Sequence, residues 1–206
     1  MANVAGEAIY PGDQPEQVTL RPQYARCGVA CSIRDAVDAR SGVSARFAIA
    51  AAESAAASAV RRSALTGEQT PVVRICDLPP VVTSLRGKVE FEVSEEGREQ
   101  EVLEHMLRRA TGDTFRARLG NADLSGLLTL FEGGGTVETG ELVPAPDLLA
   151  RVGGIGGLAK IMQRLGMEGS ESLGHAAAAV EFAMEGLYLM RRLSKDEVDG
   201  GAVYRT

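Results

Sequence analysis

The chain has 206 residues and a mass of 21.7 kDa, 45% hydrophobic and 24% charged, which excludes wholesale disorder and allows a sizeable apolar core. Its formal charge of −6 gives no overall field to draw in nucleic acid, and the longest run free of Asp, Glu, Lys and Arg, Ser172 to Val180, is far too short to span a bilayer. Aromatics are only 4% of residues and Trp is absent, so the core must be built from Ala and aliphatic side chains, which predicts a mainly α protein. The N-terminus has neither a basic start nor an apolar stretch of signal-peptide type, so a cytoplasmic location is expected. Three cysteines, Cys27, Cys31 and Cys76, form no disulfide framework and read as free thiols.

Residues 1–36 carry Pro11, Pro15 and Pro22 with few apolar side chains and read as a flexible leader. A helix is predicted from Ser41, its N-cap, to Gly67, its stop, with nine alanines between Ala45 and Ala59 and packing on two sides. A shorter helix near Ile75 to Leu85 is compatible with Pro79 and Pro80 only if they occupy its first turn. Val89-Glu90-Phe91-Glu92-Val93 alternates with period two and reads as a strand, paired with Thr136 to Thr139 in a small two-stranded element.

Glu95 to Leu119 returns to helical spacing, with Val102, Leu103, Met106, Leu107 and Ala110 on one stripe and the acids ahead of the arginines, as the helix dipole favours. Short helices are predicted at Leu124–Phe131, Pro146–Arg151 and Leu158–Leu165, and a long one from Ser172 to Leu193 that buries Val180, Ala183, Met184, Leu187 and Met190. The acidic tail after Ser194 is expected to fray.

Few residues carry chemistry. Gly154-Ile155-Gly156-Gly157-Leu158-Ala159 fits a loose dinucleotide fingerprint, but it follows a helical pattern rather than a strand, so it reads as a hinge between two helices. Val72 to Asp77 imitates the apolar run and aspartate that hold Mg²⁺ in P-loop ATPases, yet Arg74 interrupts it and Leu78 stands where an acid is needed. No G-x-x-x-x-G-K-[ST] occurs, so no loop of that kind cradles phosphate, and His105 and His175 read as surface or packing residues. Arg40-Ser41-Gly42-Val43-Ser44-Ala45-Arg46-Phe47 stands out, because it places Arg46 in the first turn of a helix, where the dipole repels a cation. Either an anion offsets that cost, or Arg46 pairs with Asp38 or lies over Phe47.

GVSARFAIAAAE resembles the start of the C-terminal lid domain of AAA+ ATPases of the magnesium-chelatase I-subunit and MoxR clade. The resemblance runs on through GKVEFE, EEGREQEVLEHMLRRATGDTFRARL, HAAAAVEFAMEGLYLMRRLSKDE and VYRT, so it covers roughly residues 36–206. It implies a helical lid over residues 37–86 and a helical extension over 87–206. It also implies that Arg46 is the sensor-2 arginine, which touches the terminal phosphate of ATP; a guanidinium suits that task because it donates two parallel hydrogen bonds and keeps its charge. ATP and Mg²⁺ are the cofactors of the intact family. The P-loop and Walker B acids that bind them in the family have no counterpart in this sequence, so no cofactor is assigned to this chain alone. Two readings follow. The chain is the C-terminal fragment of such an ATPase, catalytically silent by itself, or it is a stand-alone helical interaction module whose partner is an AAA+ core or paralogue ring. Self-association through an apolar face around Phe47, Ile49 and Val60 is expected in the first case.

Overall fold

The computed structural model describes residues 45–86, 97–167 and 172–206. The leader, the Ser41 cap, Cys27, Cys31 and the Val89–Val93 strand lie outside the described residues. Helices α1 (Ala45–Thr66), α2 (Pro79–Leu85), α3 (Glu99–Leu119), α4 (Ser125–Leu128), α5 (Ala145–Val152), α6 (Leu158–Arg164) and α7 (Leu173–Leu189) make the chain mainly α. Strands β1 (Val137–Gly140), β2 (Ser194–Val198) and β3 (Gly201–Arg205) form one antiparallel sheet in the order β1-β3-β2.

Helix α1 ends where the sequence places its stop: Gly67 takes φ 72° and the Glu68 N–H donates back to the Ser63 carbonyl at 2.9 Å. Pro79 and Pro80 open α2, where a missing N–H costs nothing. Helix α1 buries Ala51, Ala55 and Ala59 and packs on α2, whereas Ile49, Val60 and Leu65 remain exposed at 41, 39 and 56%. Among the described residues α1 is buried along one side; a neighbour on the other, as the sequence leads one to expect, would lie outside them. Helix α7 is the centre of the fold: Ala177 to Leu187 are all buried, and α3, α5 and α6 surround the helix. It can be so enclosed because its alanines and Gly186 let neighbouring backbones approach closely.

Two expectations at the C-terminus are overturned. The tail after Ser194 does not fray; it folds into the β2–β3 hairpin, in which Asp199-Gly200 forms a two-residue loop with Gly200 at φ 67°. Among the described residues the small β element has three strands rather than two, and the partner of Val137–Gly140 is β3, in the register Val137 to Tyr204 and Thr139 to Ala202. Ala202 and Tyr204 face the core, while Lys195, Asp196 and Glu197 bring charge to the edge strand, which blunts it against pairing with other chains.

Helix α7 also stops four residues short of the predicted Leu193. Arg191 takes the left-handed conformation at φ 59°, and the Arg192 N–H closes back on the Leu187 carbonyl at 2.8 Å. A side chain there is strained, so Arg191→Gly is expected to stabilise the chain by about 0.5–1 kcal/mol, read as a higher urea midpoint.

Candidate functional site

The sequence directs attention first to Arg46, and the backbone of α1 places it in the opening turn of that helix. Some sixteen residues further along α1, four turns or more, lies a cluster that sequence reasoning missed. Arg62 and Arg74 are wholly buried, with Asp77 and Glu181 each 1% exposed beside them. Each segment brings one member for a local reason. Arg62 falls on the inward face of α1, in step with Ala51, Ala55 and Ser58. Arg74 and Asp77 bracket a 3₁₀ turn (Ile75–Asp77), and Asp77 reaches back to accept the Arg74 N–H at 2.8 Å, fixing that turn as a capping carboxylate would. Glu181 comes from the middle of α7.

The Arg62 guanidinium donates to Asp77 through Nε and Nη2 at 3.2–3.3 Å, to the Glu68 carboxylate at 2.7 Å and to the Val72 carbonyl at 2.5 Å. Arg74 donates to Glu181 Oε1 at 2.6 Å and to the Val143 carbonyl at 2.8 Å. Glu181 Oε2 also accepts the Ile75 N–H at 3.1 Å, and Ser58 donates to Asp77 at 3.2 Å. Glu68 completes the cluster: besides Arg62 it accepts the Ala145 N–H at 2.6 Å, which caps α5, whose own N-cap Pro144 has no acceptor side chain. Burial alone would lower the Arg74 guanidinium, but Glu181 opposes it and the net direction is upward; Arg62 behaves likewise through Asp77. Both arginines stay charged.

The arrangement decides the reading of Val72–Asp77. Both Asp77 oxygens are occupied by Arg62 and Arg74, and among the described residues no three His, Cys, Asp or Glu side chains converge to hold a metal ion. The imitation of a magnesium-binding aspartate is thus a structural ion pair. Cys76, within the same turn, is pushed far up by burial and by Glu181, which leaves an inert thiol at neutral pH. Gly154 to Gly157 lie between α5 and α6, and Leu158 and Ala159 open α6, so a helix rather than a strand precedes the dinucleotide fingerprint and it lacks the strand-turn-helix context for phosphate.

A second polar cluster ties the sheet to α7. Glu185, one turn beyond Glu181, accepts from the Tyr204 hydroxyl at 2.6 Å and pairs with Lys195 at 2.9 Å, and the Lys195 ammonium lies 5.6–5.7 Å from the Tyr188 and Tyr204 ring centres. Burial, and then Glu185, pushes the Tyr204 hydroxyl upward, so it remains a donor. An open groove of about 430 Å³ runs between α3 and the end of α7, lined by Glu101, His105, Arg108, Arg116, Leu189 and Met190. Its cations are engaged within the chain: Arg108 donates to the Tyr188 hydroxyl and Arg116 pairs with Asp113.

His175 sits half-buried in the first turn of α7, and burial lowers it. Its folded form therefore favours the neutral ring. Between the ordinary histidine value and the lowered one the unfolded chain binds more protons, so stability should fall as pH drops through that window. His175→Gln is expected to flatten the change in urea midpoint between pH 7.5 and 5.5; an unaltered slope would show that His175 does not contribute to it.

No protein family, curated protein or solved structure matches this chain. Among the described residues no helix is long and apolar enough to cross a membrane.

Proposed function

We propose that the chain corresponds to the lid and helical extension of a magnesium-chelatase-like AAA+ ATPase, with Arg46 as its nucleotide-facing residue and a P-loop core, its own or a paralogue's, as its partner. The observation that carries the reading is the opening of α1: an arginine in the first turn of a long Ala-rich helix on which Ile49 and Val60 stay exposed among the described residues. A cation at a helix N-terminus is unfavourable unless an anion faces it, and a terminal phosphate meets that need. Exposed Ile49 and Val60, on one side of α1 among alanines, supply a close-packing surface that a core domain would cover. Phosphoryl transfer needs Mg²⁺, water and phosphate positioned together, so a lid arginine acts only when a core holds the nucleotide.

Calorimetry of the chain alone with ATP should show no micromolar binding. Added to a lid-deleted P-loop core of a magnesium-chelatase-like ATPase, the chain should restore ATP hydrolysis, and Arg46→Ala should lower the restored rate by at least about 100-fold. Restored hydrolysis that is indifferent to Arg46→Ala, or no restoration, would remove the proposal.

The same exposed face supports the second reading, an interaction module that docks on an AAA+ ring without serving its chemistry. In either case the uncovered face should promote self-association of the isolated chain. Sedimentation velocity should show concentration-dependent association that Val60→Glu weakens while the circular dichroism spectrum is unchanged; a strict monomer would show that this face is not adhesive.

A further inference from the structure

We propose that Arg62, Glu68, Arg74, Asp77 and Glu181 act as a lock that fastens α1 to α7, so that residues 45–86 and the body built on α7 open and move as one unit. Helix α1 packs on α2 and on the turn at Ile75–Asp77, and α7 packs on the same turn. The five charges meet at that turn. Arg62 holds Asp77 and Glu68; Arg74 holds Glu181 and the Val143 carbonyl; Glu68 holds the first N–H of α5. Three of these links, Arg74 to Val143, Glu68 to Ala145 and Arg74 to Glu181, join segments 69 to 107 residues apart.

A purely apolar seam could slide or part by degrees, losing contact area in proportion. This seam cannot. Swinging α1 away would leave Asp77 without Arg62 and Glu68 without its nearest cation, with Glu181 and Arg74 still enclosed. Uncompensated charges in a dry interior are among the costliest arrangements a fold can adopt. The surrounding wall is tight as well, since Val72, Ile75, Val180 and Phe182 are all buried against the cluster's elements. Intermediate positions of α1 are therefore disfavoured, and the helix is either seated with all five charges paired or released together with the α7 body.

The consequence for a nucleotide-facing arginine rests on the proposed role of Arg46, whereas the lock itself does not. Helix α1 has 22 residues and is about 33 Å long. While the lock is closed, a tilt imposed near Arg46 would reach α7 and the sheet as a rigid-body rotation, because Arg62 ties the end of α1 to Asp77 past the loop that begins at Gly67.

Native-state hydrogen exchange of the full chain in rising urea tests the lock. Amides of α1 from Ala55 to Ser63 and of α7 from Val180 to Leu187 should exchange through one common opening with the same urea dependence. Separate openings, in which one helix is exchanged while the other stays protected, would overturn the proposal. Glu181→Gln keeps the size of the side chain and removes its charge; it should speed exchange in both helices together, on the order of 100-fold. Acceleration confined to α7 would overturn it. Arg61→Ala, which removes the exposed pair with Glu141 from the same stretch of α1, should leave both rates within about threefold of wild type. If Glu181→Gln proves too unstable to purify, the wild-type urea series decides between the two outcomes unaided.

Discussion

Arg74→Met should destabilise the chain by about 3–5 kcal/mol, the usual cost of removing one partner from a buried ion pair. Methionine nearly fills the space, so little of that cost comes from a cavity. What remains is the Glu181 carboxylate, 1% exposed, with the Ile75 N–H as its one remaining donor among the described residues, and a Val143 carbonyl that has lost the Arg74 donor. Against a typical total stability of about 5–15 kcal/mol this is a large fraction, and the urea midpoint should fall by about a fifth or more. Adding Glu181→Met removes the stranded charge, so the double variant should be more stable than Arg74→Met alone even though it carries one more substitution. That inversion is the signature of a desolvated charge pair. A single-variant cost below about 1 kcal/mol, with no recovery in the double, would show that water reaches Glu181 and that the cluster is not sealed.

The sequence displays its helices and conceals this cluster for a physical reason. Helices α1, α2, α5 and α6 are announced by local chemistry: alanine content, Gly67 as a stop, Pro79-Pro80 as a start, and glycines around residues 153–157. Buried ion pairs have no such local mark, because Arg62, Arg74 and Glu181 each look like an ordinary surface charge until the chain folds. One signal was present. Between Leu173 and Leu189 the only acidic residues are Glu181 and Glu185, spaced by one turn inside a stretch of alanine, valine, phenylalanine and methionine. Two carboxylates on one face of so apolar a helix must face partners inside the fold, and those partners prove to be Arg74 and the Lys195–Tyr204 pair.

The C-terminal hairpin was legible as well, since Asp199-Gly200 between Val198 and Gly201 is a turn signal, but the charges of Lys195 to Glu197 disguise an edge strand as a tail. The early end of α7 was not legible, because Arg191 occupies a left-handed position that ordinarily announces itself as glycine or asparagine. Arg46 stands apart from all of these. Its placement in a first turn was readable from Gly42 and the alanines that follow, while its role depends on a resemblance and on the anion it would meet.

Gly186→Ala should destabilise the chain by about 3 kcal/mol although alanine is the better helix former by roughly 1 kcal/mol. A Cβ at this position of α7 would run into the Phe115 ring at Cδ2 and Cγ, far inside van der Waals contact. The ring cannot retreat easily: Phe115 is 4% exposed on the inner face of α3 and packs against Phe182, with ring centres 6.3 Å apart. Relief therefore requires α3 to move away from the central helix, which would loosen the contact along Leu103, Ala110 and Phe115. Shortening the ring offers a way back. Phe115→Leu alone should cost about 1–2 kcal/mol through the space it opens, but that space accommodates the new methyl, so Gly186→Ala/Phe115→Leu should be markedly less destabilised than the sum of its single variants. A urea double-variant cycle reads that coupling directly. Simple additivity, or a Gly186→Ala chain more stable than wild type, would mean that α3 and α7 stand further apart than this close approach requires.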